Sequence, residues 1–307
     1  MSDTLSIIID LSAKLQLHDG YIENEPVILL HNNTQISSTF MNARAYIYDK
    51  PVHPSPLPTI HHFSNPVFFF YSTSFQKNIQ HFITETYFKI QHYSELLQTT
   101  PDCLLGIPEF AYNHFVQDMI LSYGIQPHQV LVLQNNTHHT FQALHHVHFY
   151  CFNWHHNPTL ISALHTLRTN LEIAPNSTLH PQRLIYLKRD GQPSKDHNNN
   201  EGGKGRRIVN ETEFEDMLTS MGFTTVTLGN KRLAQKRDLL KDAHILVTPY
   251  GANLMNLLFT NAPKHLIVIS NDIFRNIGFY QTLFAHVHAT SQDESSTIKL
   301  FLSLIHI

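Results

Sequence analysis

Asp242-Ala-His-Ile-Leu-Val-Thr-Pro-Tyr-Gly-Ala-Asn-Leu-Met-Asn-Leu-Leu-Phe259 is the stretch that decides how this chain reads. The apolar run from His244 to Val247 predicts a buried strand, and Pro249-Tyr-Gly251 breaks it. Ala252 to Phe259 is apolar on nearly every side, as a buried helix is. Strand, glycine turn and helix is the order in which many nucleotide-binding α/β domains offer a helix N-terminus to a phosphate. The first N–H groups of a helix have no partner inside it, and the dipole there favours an anion. Gly251 allows close backbone approach, and the small Ala252 leaves the entrance open. The same spacing suits a plain buried crossover packed tightly on a glycine, and one glycine turn does not choose between the two.

Working outward, strand-like and helix-like runs alternate in two blocks. Around the opening stretch lie strands at 183–188, 224–228 and 265–270 and helices at 210–221 and 232–243. Asn210 with Glu213 three residues on reads as a capping box, and the polar segment 190–205 reads as a loop. The earlier block offers strands at 67–71, 103–107 and 129–133, with helices at about 77–97 and 109–123 and Gly124 as a stop. Such alternation favours parallel sheets with helical crossovers. The expected architecture is α/β, with two Rossmann-like domains over 1–165 and 180–290 facing each other across a cleft. Residues 291–307 are expected to form a C-terminal helix packing back. The first sixty residues read as short strands and loops ending in a proline-rich connector at 51–58.

Composition narrows the function classes. The chain has 307 residues, which suits two domains. A formal net charge of -3 gives no basic field, so no nucleic-acid partner is expected. Cys103 and Cys151 sit in apolar surroundings and read as buried thiols. No apolar run is long enough to span a bilayer, and the start lacks a basic n-region, so a cytoplasmic protein is expected. The 24 histidines cluster in pairs such as His61-His62, His138-His139 and His155-His156. There is no His-Glu-x-x-His, and no carboxylates or cysteines stand at ligand spacing, so no metal is expected and most of these histidines read as solvated.

Two groups of residues could carry chemistry. In the helix at 77–97, at about 100° per residue, Ile79, Ile83, Ile90 and Leu97 share one stripe, while Asn78, His81 and Glu85 fall opposite. That side is either a solvated face or a face toward a cleft. In the second case Glu85 could raise the basicity of His81, giving a general base for a hydroxyl nucleophile. Lys188 and Arg189 end a strand, where a cation reaches either solvent or a phosphate at the sheet edge. Arg206 and Arg207 follow the polar loop. No Asp-x-Asp occurs, so a diphosphate would depend on cations and helix N-termini.

These pieces fall into a known order. Asn78-Ile-Gln-His-Phe-Ile-Thr-Glu85, Arg183-Leu-Ile-Tyr-Leu-Lys-Arg189, Arg206-Arg-Ile-Val-Asn-Glu211 and Thr248-Pro-Tyr-Gly-Ala-Asn-Leu-Met-Asn256 together resemble glycosyltransferase family 61. That family includes plant xylosyl- and arabinosyltransferases and animal protein O-GlcNAc transferases. The resemblance implies a GT-B fold and an inverting, metal-independent transfer from a nucleotide sugar, usually a UDP-sugar, to a glycan or protein hydroxyl. It requires no cofactor. It places Lys188, Arg189, Tyr250, Gly251, Ala252, Asn253 and Asn256 at the donor, with Arg189 and the 251–256 turn on the diphosphate. It sets His81 and Glu85 as catalytic residues and Asn78 on the acceptor side. The chain departs from the family at two places. Tyr250 stands where the family has histidine, and Ser270, with Asp272 beyond it, stands where a glutamate commonly ends the last strand. Both departures leave open a binding module that kept the fold without catalysis. With no anchor evident, the sequence suits a microbial or viral enzyme.

Overall fold

The computed structural model describes residues 60–71, 79–147, 158–172, 183–189, 208, 210–229, 231–261 and 265–270, and the backbone of strands at 5–9, 15–16, 22–23, 27–31, 34–37 and 301–304. The chain divides into two compact units, Met1–Ala163 and Leu164–Ile307. Both are mixed α/β, and each contains a parallel sheet.

Unit 1 holds strands β1 (Leu5–Ile9), β2 (Leu15–Gln16), β3 (Ile22–Glu23), β4 (Val27–His31), β5 (Thr34–Ser37), β6 (Ile60–Phe63), β7 (Val67–Phe69), β8 (Leu104–Pro108), β9 (Val130–Leu133), β10 (Thr137–Phe141) and β11 (Leu144–His145). Its described α-helices are α1 (Ile79–His81), α2 (Lys89–Leu96) and α3 (His114–Tyr123), with a π-helical turn, Phe82–Tyr87, between α1 and α2 and short 3₁₀ helices at Glu109–Ala111 and Pro127–Gln129. A parallel sheet runs β11-β7-β8-β9. Val67, Phe68, Phe69, Leu105, Ile107 and Leu133 are buried in it, as strands covered on both faces require. A second sheet, β5-β4-β1-β10-β6, is antiparallel except for β10 on β6.

Close packing in the parallel sheet fixes one residue type. A Cβ at Gly106 would lie 2.6 Å from Val67 Cγ1, so only glycine lets β8 approach β7. The helix expected at 109–123 arrives in two parts, because Asn113 caps α3. Its Oδ1 accepts from Phe115 N at 3.0 Å and from Val116 N at 3.2 Å. Gly124 ends α3 in the left-handed region at φ 108°, as its position predicts. Cys103 is a buried free thiol, pushed up to about 11 by burial; Cys151 lies outside the described residues. His139 is an exception to the solvated reading of the histidines. It is fully buried beside Phe63 and His61, its Nε2 is 3.0 Å from the Gln134 carbonyl, and burial lowers its pKa.

Unit 2 holds α4 (Pro158–Asn170, which begins before the division), β12 (Arg183–Leu187), α5 (Glu211–Ser220), β13 (Thr224–Val226), α6 (Leu233–Leu240), β14 (Ala243–Pro249), β15 (His265–Ser270) and β16 (Phe301–Leu304). A 3₁₀ helix, Ala252–Phe259, follows β14. The sheet order is β13-β12-β14-β15-β16, all parallel. This is the 2-1-3-4-5 order of doubly wound folds. Tyr186, Ile208, Leu218, Phe223, Val247 and Ile269 form one core cluster.

Three local expectations change here. Within the tail expected to be helical over 291–307, the described residues Phe301–Leu304 form a strand that pairs in parallel with β15. A four-residue apolar run has no period to separate strand from helix, and an unpaired sheet edge decides it. Asn210 precedes α5 but makes no side-chain cap, sitting at φ -103°, ψ 45° rather than in the extended region a cap needs. The end expected for the first domain, at 165, falls inside a regular helix, α4, and Leu160, Ala163, Leu164, Leu167 and the following Leu171 are buried along one stripe.

Candidate functional site

Open α/β sheets bind ligands where neighbouring strands connect in opposite directions, beyond their carboxyl ends. In unit 2 that place lies between β12 and β14, because β13 flanks β12 on its other side. β12 runs out into Lys188 and Arg189, and β14 into Tyr250 and Gly251. Thr248 Oγ1 donates to the Leu187 carbonyl at 3.1 Å and ties the two ends together. Asn253 Nδ2 donates to the Lys188 carbonyl at 3.3 Å, which lays the start of the 3₁₀ helix across the end of β12. Tyr250 N donates to the Ile269 carbonyl at 2.8 Å, prolonging the ladder to β15.

Gly251 takes φ 141° and ψ -161°, a conformation that side chains do not allow. The conformation of the turn therefore demands the glycine. Gly251 itself is buried, but Tyr250, Ala252 and Asn253 are half-buried, so the helix entrance is open rather than sealed. From Leu254 to Phe259 every residue is buried.

The cations at this edge are not equivalent. Lys188 Nζ is 2.7 Å from Glu215 Oε2 on α5. That hydrogen bond raises the lysine and lowers the carboxyl, so both stay charged and largely cancel. Arg189 is half-buried beside it. Arg206, Arg207 and Asp272 lie outside the described residues, while Ser270 ends β15. Tyr186, on β12, donates from its hydroxyl to Glu211 at 3.3 Å.

A third cation went unsuspected in the sequence. Arg168 on α4 is buried, and its Nη1 donates to the carbonyls of Leu258 at 2.8 Å and Thr260 at 3.0 Å. It closes the C-terminal end of the 3₁₀ helix, where carbonyls lack partners and the dipole is negative. Burial lowers its pKa to about 10, which still leaves it charged at neutral pH. The available signal was its place within the apolar stripe of α4, four residues after Leu164 and three before Leu171.

In unit 1 the corresponding place lies beyond β7, between β11 on one side and β8 on the other. The segment that returns over it does not have a solvated face. Every residue from 82 to 90 is buried, including Glu85 at 3% exposure and Lys89 at 2%. The turn Phe82–Tyr87 is π-helical, so its bonds span one residue more than an α-helix and the 100° rotation fails across it. Such turns recur at functional sites. Thr84 Oγ1 bonds back to the Gln80 carbonyl at 2.9 Å, and Tyr87 OH reaches the Met119 carbonyl at 3.4 Å.

Lys89 is the unexpected group here. Its Nζ donates to the Tyr71 carbonyl, just past β7, at 2.6 Å. Burial lowers its pKa to about 7, with the Glu85 carboxylate opposing that shift. Its sequence signal was seven-residue spacing from Phe82 and four-residue spacing to Tyr93, both buried. His81 lies in α1, four residues before Glu85, and its side chain is outside the described residues, as is all of Asn78.

Parallel sheets with polar groups gathered at their carboxyl ends are a common frame for ligand sites in α/β proteins. The chain matches the family described as Glycosyltransferase 61 over residues 79–269, and it belongs to that family. It is a glycosyltransferase, with a sugar donor and an acceptor as its substrates. No curated protein matches it. Among the described residues no helix is long and apolar enough to cross a membrane.

Proposed function

We propose that the protein is an inverting, metal-independent glycosyltransferase of GT-B type. It moves a sugar from a nucleotide sugar, on this reading a UDP-sugar, to a hydroxyl of a glycan or protein. The observation that supports this most is the glycine-only turn at Gly251, which opens a helix N-terminus at the switch point of the unit 2 sheet. The donor diphosphate lies against that N-terminus, with Arg189 forking onto its oxygens. Lys188, already held by Glu215, contributes its backbone carbonyl as the anchor for Asn253 more than its charge.

The acceptor oxygen attacks the anomeric carbon from the side opposite the diphosphate. The bond to the leaving oxygen breaks as the new glycosidic bond forms, which inverts the configuration. The acceptor proton passes to a base, and the diphosphate leaves with its added charge met by the amides and Arg189. Tyr250 does not serve as that base near neutral pH, because a phenol holds its proton there. His81 and Glu85 are the candidate base and its partner, with Asn78 on the acceptor side. Lys89 fixes the helix that carries Glu85 by its bond to Tyr71.

Incubating the protein with a panel of nucleotide sugars and simple acceptors should release one nucleoside diphosphate, with UDP expected. Arg189→Ala should weaken donor binding by roughly 2–4 kcal/mol. Donor binding unchanged in that variant removes Arg189 from the site. Tight binding without turnover in the wild type would instead favour a module that only binds nucleotide sugars.

A further inference from the structure

We propose that the seam between β6 and β10 is an acid-sensitive joint, in which proton uptake at His139 Nδ1 loosens the sheet that ties the first strands of the chain to unit 1. β10 pairs with β1 on one side and β6 on the other, so within this sheet it links β1, β4 and β5 to β6. The pairing continues beyond the sheet. Gln142 N donates to the Phe63 carbonyl at 3.0 Å and Val67 N to the Ala143 carbonyl at 2.9 Å, so β6–β10 runs on into β7–β11. A change at β10 is thereby coupled to β7, the strand that leads to the switch point of the unit 1 parallel sheet.

In the parallel register His61 stands opposite His139 and Phe63 opposite Phe141, which puts all four on one face. The His61 and Phe63 rings each lie 5.8 Å from the His139 ring, which is fully buried. The Gln134 carbonyl, 3.0 Å from Nε2, only accepts, so Nε2 carries the hydrogen of the neutral ring. A second proton must therefore join Nδ1, which is buried and has no hydrogen-bond partner among the described residues. That proton would create a buried charge and a buried donor without an acceptor. The neighbouring groups add to the cost. β6 brings His61 to this face, and His138 adjoins on β10 itself. His62 lies on the opposite face, its Nδ1 3.0 Å from Thr140 Oγ1. β1 carries no titratable side chain. Glu109, on the turn after β8, is exposed, and its Oε2 accepts from Asn135 N at 3.2 Å. Burial lowers the His139 pKa, the Gln134 carbonyl opposes that less strongly, and His61 and His138 lower it further. Once the seam opens, the ring regains its ordinary value of 6.5. The open form then binds a proton that the closed form resists, so the seam is firmest above 6.5 and weakens as pH falls through it.

The test is backbone hydrogen exchange of the wild type and His139→Gln, corrected for the intrinsic exchange rate, at about pH 7.5 and about pH 5.5. Glutamine keeps an N–H donor for the Gln134 carbonyl and does not titrate. One proton taken up by the open form alone raises the opening constant about tenfold across that interval. The β1 and β10 amides should therefore gain up to about tenfold more exchange on acidification in the wild type than in His139→Gln. Equal gains in the two proteins overturn the proposal. A difference of the same size in β12 of unit 2 also overturns it, since the response then belongs to the whole chain. Should His139→Gln fail to fold, 15N NMR of the wild-type imidazole decides. Protonation of His139 Nδ1 should accompany the loss of β1 and β10 protection, and a ring that gains its second proton while those amides stay protected overturns the joint.

Discussion

Replacing Lys89 by methionine tests the interior of unit 1 most directly. Methionine nearly matches the lysine stem in volume and removes the ammonium that bonds to Tyr71. Burial brings the lysine from 10.5 in the unfolded chain to about 7 in the folded one. Between those values the unfolded chain holds one proton more than the native protein, so native stability rises with pH across the interval. The penalty of the buried charge is complete below about pH 7 and gone above about 10.5. The slope for one proton is roughly 1 kcal/mol per pH unit. The wild type should therefore gain roughly 1–2 kcal/mol on Lys89→Met between pH 8 and 9.5. That window lies above ordinary carboxylate titration. It also lies below the tyrosines, whose burial raises Tyr87 and Tyr93 and makes high pH destabilising in both proteins alike. Urea unfolding at four pH values within the window gives the difference directly. Parallel curves would show that Lys89 keeps an ordinary pKa, and the closed interior argued for Glu85 and Lys89 would be wrong.

Gly106→Ala should destabilise by about 1–3 kcal/mol, because its methyl meets Val67 2.6 Å away in a packed sheet; equal urea midpoints would refute the close approach. Arg168→Met should cost about 2 kcal/mol or more, since the Leu258 and Thr260 carbonyls lose their donor in the interior; an unchanged Tm would mean that water replaces the guanidinium.

What the sequence made legible was local and continuous. The strands at 183–187 and 265–270 are unbroken apolar runs, and a strand buried on both faces leaves that trace. Gly124 and Gly251 were legible because few residue types suit their conformations. The antiparallel sheet of unit 1 was not, because β1 pairs with β10, more than a hundred residues away, and nothing local encodes that partnership. The π-turn was hidden for another reason. A fixed rotation per residue put Glu85 on a polar face, whereas the π-helical turn changes the pitch and Glu85 is buried. Lys89 and Arg168 were missed because periodicity treats every cation as pointing to water. Each is instead held in the interior by carbonyl oxygens.

Those carbonyl contacts bear on the field at the carboxyl end of the unit 2 sheet, the edge proposed for the donor. The 3₁₀ helix after Gly251 is fastened at both ends, by Asn253 on the Lys188 carbonyl and by Arg168 on its last carbonyls. The Arg168 charge sits at the negative end of the dipole and offsets it, leaving the positive end facing the edge of the sheet. Lys188 adds little there, because Glu215 holds it. On the proposed donor reading, the fixed amides at the start of this helix would supply attraction that needs no rearrangement as charge develops on a leaving diphosphate. If that reading holds, a protein with a net charge of -3 would present a local anion site through oriented backbone groups instead of a basic surface.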